Sequence, residues 1–261
     1  MKETRLIMGM PVTVEIVGGG ARGKKRDEED AALAAGLEKA FAYFTHVDEK
    51  FSTYKDTSEI TAINKGTLSR REDWSPEMDL IFTLSEETKR MTGGFFDIQR
   101  PDGTYDPSGL VKGWAIWNAA QLLIKEGFEN FYVDAGGDVQ VRGVNEEGDA
   151  WHIGVRNPWN HAEHVQTVIA AHNEGVATSG TYIRGTHIYD PHTGAPADDV
   201  VSLTVIGPTI YEADRFATAA FAMGRDGLAF IASLPGFEGY MIDKDKTATK
   251  TSGWDAYTDK E

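Results

Sequence analysis

Two periods of apolar and polar residues alternate along this chain, and each marks an element. Val12, Val14 and Ile16 are separated by polar residues, the period of a strand with one buried face. A basic, glycine-rich run follows, from Gly18 to Arg26. No Gly-Lys-Ser/Thr closes it, so it reads as a flexible hairpin tip and not as a phosphate-cradling loop. From Asp27 to about Lys50 the period becomes helical: Leu33, Leu37, Ala40, Phe41, Phe44, Val47 and Phe51 form one apolar stripe. Asp27, Glu28, Glu29 and Asp30 suit the positive end of that helix's dipole.

Ser58-Glu59-Ile60 begins a short helix leading to Asn64. Ser75-Pro76-Glu77 opens another, with a capping serine, a first-turn proline and an acid. Met78, Ile81, Leu84 and Met91 form its buried face, and Gly93-Gly94 stops it. Phe95-Phe96-Asp97-Ile98 reads as strand and Pro101-Asp102-Gly103 as a turn. Asp106 to Gly113 leads into a helix running through Ile124.

Asn130 to Val133 and Val139 to Val141 read as strands joined at Gly136-Gly137. From Trp151 the pattern is β-rich, with Ile153 to Val155, Val165 to Ala171 and Val200 to Ile206. Helices from Glu212 to Met223 and from Gly227 to Leu234 follow, then a last strand from Gly239 to Ile242. Strands come in hairpins between helices and do not alternate with them. That order predicts an α+β fold with mostly antiparallel sheet. With no linker composition and no repeat, residues 1–261 read as one domain.

Composition narrows the partners. The 261 residues carry 26 basic and 41 acidic side chains, a net charge of -15. Such a surface repels nucleic-acid phosphates and anionic lipid. With no cysteine, disulfides, thiolate metal sites and a cysteine nucleophile are excluded. No apolar run reaches the roughly 20 residues of a membrane span, and residues 1–9 lack a signal-peptide core. The expected location is cytoplasmic, or exported with the signal already removed.

Chemistry concentrates in the second half. His187-Ile188-Tyr189-Asp190-Pro191-His192-Thr193-Gly194 reads as an irregular loop broken at Asp-Pro. His187 is a general acid-base or phosphate-donor candidate beside the plainer reading of a structural histidine. His192 reads as solvent-facing. Asp214 and Thr218 stand four apart on one helix face, two hard oxygen donors suited to Mg²⁺, or simply a solvated Asp and a back-bonding Thr. Asp134-Ala135-Gly136-Gly137-Asp138 is either a plain turn or a close approach to a ligand. Lys112 is a phosphate-binding point charge or a surface lysine.

Taken in order, these segments resemble the ApbE family of FAD:protein FMN transferases. The resemblance runs through Met8-Gly9-Met10-Pro11, Phe51-Ser52-Thr53-Tyr54 with Ser58-Glu59-Ile60 and Asn64, Phe96-Asp97 and Lys112-Gly113. It continues through Gly136-Gly137-Asp138, Thr178-Ser179-Gly180, the 187–194 loop and Ala213-Asp214 with Ala217-Thr218-Ala219. Met10 stands where the family usually has threonine.

The resemblance implies an α+β, ApbE-like (T-fold-related) architecture. It also implies FAD as substrate, Mg²⁺, and an acceptor flavoprotein whose threonine or serine hydroxyl takes FMN as AMP leaves. By the same resemblance Asp214 and Thr218, with a main-chain carbonyl from 108–110, chiefly Gly109, would hold the metal. His187 would lie at the pyrophosphate, as donor or as base. Met10, Tyr54 and Asp97 would line the flavin and its ribityl chain, and Thr178, Ser179, Gly180 and Thr181 the nucleotide. Lys112, Asp134 and Asp138 would help place the dinucleotide. Hydrolysis of FAD to FMN and AMP, or FAD binding without catalysis, remains open on sequence grounds.

Overall fold

The structure is a computed structural model and describes residues 1–20, 23–160, 162–170, 173–181 and 188–258. Its frame is an eight-stranded antiparallel sheet. β1 (Lys2–Ile7) and β2 (Met10–Ile16) form a hairpin with Ile7 opposite Met10. Its two turn residues, Met8 and Gly9, both have positive φ (55° and 70°), the turn whose twist suits a tight hairpin. β2 then pairs with β3 (Phe131–Ala135), and β3 with β4 (Asp138–Arg142). Beyond β4 come β7 (Gly175–Gly180), β8 (Val200–Gly207), β9 (Glu238–Asp243) and β10 (Ala248–Lys250). β5 (Trp151–Arg156) and β6 (His164–Ala170) leave this sheet and pair only with each other.

The period of two explains the layering. Ala177, Leu203, Val205 and Met241 join one core with the helices. Their strand neighbours Val176, Ile206, Tyr240 and Ile242 point the other way and join Val155 and Val168 of the β5–β6 ribbon. The sheet is therefore covered on both sides at β7 to β9.

The helices are α1 (Lys24–Phe51), α2 (Glu59–Asn64), α3 (Pro76–Met91), α4 (Ser108–Lys125), α5 (Ile210–Ala222) and α6 (Gly227–Ser233). Every residue of the stripe from Leu33 to Phe51 is buried, each large side chain contributing about 1.5–3 kcal/mol. Ser58, Ser75 and Thr209 cap α2, α3 and α5 by accepting the N–H of Thr61, Met78 and Glu212. No helix among the described residues is long and apolar enough to cross a membrane.

Three sequence expectations need correction. Phe95 to Ile98 is not a strand. The Phe95 and Phe96 N–H groups are taken by Thr92, and Asp97 accepts the N–H of Gln99, so no ladder can form. The apolar run reflects Phe96 and Ile98 entering the core. The glycine-rich run is no hairpin tip: it connects β2 to α1, and Lys24 to Arg26 belong to that helix. In α3, Met78 and Ile81 are buried, whereas Leu84 is only half-buried and Met91 is exposed.

A candidate flavin-nucleotide site

A cavity of about 730 Å³ opens where β2, β3, β4 and β7 meet the N-terminal part of α4 and the middle of α5. At its floor are two carboxylates that the fold has all but removed from water. Asp138, at the start of β4, is 2 % exposed, and Asp214, on α5, is 3 % exposed. Buried carboxylates require compensating donors. Asp138 Oδ1 accepts the Thr178 N–H at 2.9 Å. Asp214 Oδ2 accepts the Gly113 N–H at 2.7 Å. Between them lies the Lys112 ammonium, 2.9 Å from Asp214 Oδ1 and in contact with Asp138 Oδ2. Asp138 Oδ2 accepts no well-directed hydrogen bond. Its compensation is that one cation.

Gly113 makes this meeting possible. A Cβ there would lie 2.6 Å from Asp214 Cβ and 2.8 Å from the Ile210 carbonyl oxygen. Only glycine lets α4 and α5 approach so closely. Gly109, one turn earlier, stands against Thr218: a Cβ at Gly109 would be 3.7 Å from Thr218 Oγ1. Thus Gly109, Asp214 and Thr218 converge, and all three line the cavity. Among the described residues no three His, Cys, Asp or Glu side chains gather as a metal cluster. What the floor offers is a set of hard oxygens: two buried carboxylates and a hydroxyl. That chemistry fits a small hard cation and not zinc.

The ApbE family model matches residues 8–101 and 99–241. The chain belongs to the ApbE family. It is 34% identical over 160 residues to the FAD:protein FMN transferase of Escherichia coli (strain K12), a match covering 58% of this chain and 46% of that protein. The chain thus spans about half the length of the curated relatives it matches. Its fold is that of the flavin transferase ApbE from Vibrio cholerae (TM-score 0.81, 22% identity, covering 98% of each chain). The ApbE protein from Thermotoga maritima superimposes similarly (TM-score 0.84, 20% identity, covering 100% of this chain and 99% of that one).

The ApbE motifs divide by what they touch. Met10, Tyr54, Asp97, Lys112, Asp134, Asp138, Thr178, Ser179 and Gly180 all line the cavity; Thr181 does not. Tyr54 is 95% exposed at its mouth. Met10 packs on Gly136, where a Cβ would meet its sulfur at 3.0 Å. Asp97 is held by Lys89 at 2.5 Å. Burial pushes the Asp134 carboxyl above its ordinary pKa, against the Gly137 N–H and the cations Arg156 and Lys112. Thr178 Oγ1 bonds with Thr204 Oγ1 at 2.9 Å.

Other motif residues are structural. Glu59 accepts the Ser75 N–H and hydroxyl, each at 2.6 Å, and so fixes the start of α3. Asn64 clamps Tyr105 through both of its backbone groups. That clamp holds the loop that brings Arg100 and Asp106 to the cavity. His187 lies outside the described residues. Downstream of it, Asp190 accepts the His192 N–H and the Thr193 hydroxyl, and Gly194 takes φ 71°. His192 is exposed, as expected, with its ring edge-on to Phe95.

Sequence reasoning missed Arg100, Asp106 and Arg156 as lining residues. Asp106 was in view only as the lead-in to a helix. Nothing in the local pattern at Arg156 marks it, since the strand β5 that carries it belongs to the separate ribbon.

Proposed function

We propose that this chain is an Mg²⁺-dependent FAD:protein FMN transferase. The observation that carries the reading is the cavity floor, where Asp138, Asp214, Thr218, Gly109 and Lys112 gather from three elements. Asp214 and Thr218, with the Gly109 carbonyl, would hold Mg²⁺. The Gly113 N–H, which in a regular α-helix serves the Gly109 carbonyl, is donated to Asp214, which supports that carbonyl's turning to the cavity. When bound, the metal would neutralise charge on the phosphate oxygens.

The chain's own groups do the rest. Lys112 supplies a point charge to a phosphate. Met10 and Tyr54 offer apolar surface to the flavin ring, and Asp97 and Asp134 offer acceptors to hydroxyls of the ribityl chain and ribose. Thr178, Ser179 and Gly180 frame the nucleotide side. His187 stands as donor or base for the acceptor hydroxyl. That hydroxyl attacks the FMN phosphorus, the P–O bond to the AMP half breaks, and AMP departs with the electron pair.

Hydrolysis is the second reading, favoured by the open mouth at which Tyr54 is exposed: water reaches the same phosphorus. Incubation with FAD, Mg²⁺ and a flavoprotein bearing a target threonine separates the two. Transfer predicts that the acceptor gains the mass of an FMN group. Free FMN and AMP, released equally with and without acceptor, would establish the hydrolase instead. Neither product, with FAD still bound, would leave a carrier. An Asp214→Ala variant is expected to lose at least about a hundredfold in rate, the scale of losing an electrostatic stabiliser.

A further inference from the structure

Among the described residues, the cavity wall carries three cations, Arg100, Lys112 and Arg156. Two of them are already matched. Arg100 pairs with Asp106, and Lys112 with Asp138 and Asp214. Among the described residues no carboxylate stands within ion-pair distance of Arg156, whose field reaches Asp134 only from farther off. An anion entering a cavity in a protein of net charge -15 meets mostly carboxylates or cations that carboxylates have claimed. Among the described residues, Arg156 is the cation that no carboxylate has claimed.

Its place in the fold supports a built role. Val155, the residue before it, is buried at 3% and anchors β5 in the smaller core against the sheet. Opposite it, β6 carries a bulge: Val155 pairs with Gln166 and Arg156 with His164, so Val165 is the extra residue. β5 itself keeps its alternation, which turns Arg156 away from the core that Val155 enters, and bulges such as the one facing it concentrate beside sites. Arg156 is also exposed, so its guanidinium is not required for packing. A planar guanidinium with a fixed fork of donors binds a phosphate through two oxygens at once.

We propose that Arg156 grips a phosphate of the dinucleotide, and that it selects phosphorylated flavins over the bare flavin. The proposal rests on the FAD reading above. It assigns to the β5–β6 ribbon, which lies apart from the main sheet, a direct part in substrate choice.

The test uses the whole chain and two ligands, FAD and riboflavin, followed by quenching of flavin fluorescence with Mg²⁺ present. Arg156→Gln is expected to weaken FAD binding about tenfold to about a hundredfold, the size of a lost charge-assisted hydrogen bond. Riboflavin, which has no phosphate, should bind the variant as it binds the unaltered protein. Arg156→Lys keeps the charge without the fork and should fall between. FAD binding unchanged in the Gln variant, or FAD and riboflavin weakened alike, would overturn the role of Arg156. An unaltered protein that binds no FAD would overturn the flavin reading itself, a different result from an unaltered protein and a Gln variant that bind FAD equally.

Discussion

Lys112 is the residue on which the floor of the cavity depends. Its ammonium is the meeting point of two carboxylates from β4 and α5 that are almost wholly buried. Breaking a buried pair by deleting one partner leaves an uncompensated charge, at a cost of roughly 3–5 kcal/mol. Lys112→Met is therefore expected to lose about that much stability in urea unfolding at neutral pH. Lys65→Met, which removes an exposed pair with Asp56, should leave the unfolding midpoint nearly unchanged. Equal losses would show that Asp138 and Asp214 find other compensation. From sequence alone Lys112 was a phosphate ligand or a surface lysine, and its carboxylate partners were invisible. Asp214 lies 102 residues along the chain, a separation no local period can encode. Asp214 and Thr218 were legible as a pair because the helix itself sets their spacing. His187 was equally legible as a candidate.

At the scale of elements, the decisive contact is α4 on α5. Gly113 sits where the two helices nearly touch, and its N–H serves Asp214. Gly113→Ala places a methyl against the Asp214 side chain and the Ile210 carbonyl, neither of which is a free end. Overpacking of this kind costs about 1–3 kcal/mol. It should also lower FMN transfer, because the shift separates Gly109 from Thr218. Unfolding midpoints and transfer rates check the two effects, and a variant as stable and active as the parent would mean the helices can part harmlessly. The helices were legible because caps and stripes are local. β7 was not, because Thr178, Ser179 and Gly180 carry little of the bulky alternation that announces a strand. Its burial comes from α5 on one side and β5–β6 on the other. β1 was hidden for the opposite reason: it is an edge strand in which Lys2, Glu3 and Arg5 interrupt any apolar alternation and no residue is fully buried.

Across the whole molecule, one large core and two small ones meet on opposite faces of one sheet. The large one gathers the helices, and the small ones hold β5–β6, one through Val155 and Val168 and the other through Trp151 and Ala170. Elements with fewer buried contacts open at lower free energy. Backbone amides of β5 and β6 are thus expected to exchange with deuterated solvent sooner than those of β7 and β8, and FAD should slow them if Arg156 reaches its phosphate. Uniform protection across all four strands would contradict this. The sheet's strand order carries one more consequence, for the chain as it is made. β2 lies between β1 and β3, yet Val133 of β3, the partner of Val14, is synthesised about 120 residues later, roughly ten seconds at typical elongation rates. Through that interval the β1–β2 hairpin leaves the ribosome with one edge unpaired and its apolar face, Val12, Val14 and Ile16, waiting for a neighbour. An unpaired strand edge is a template for pairing with another chain, and that exposure ends only once β3 has emerged.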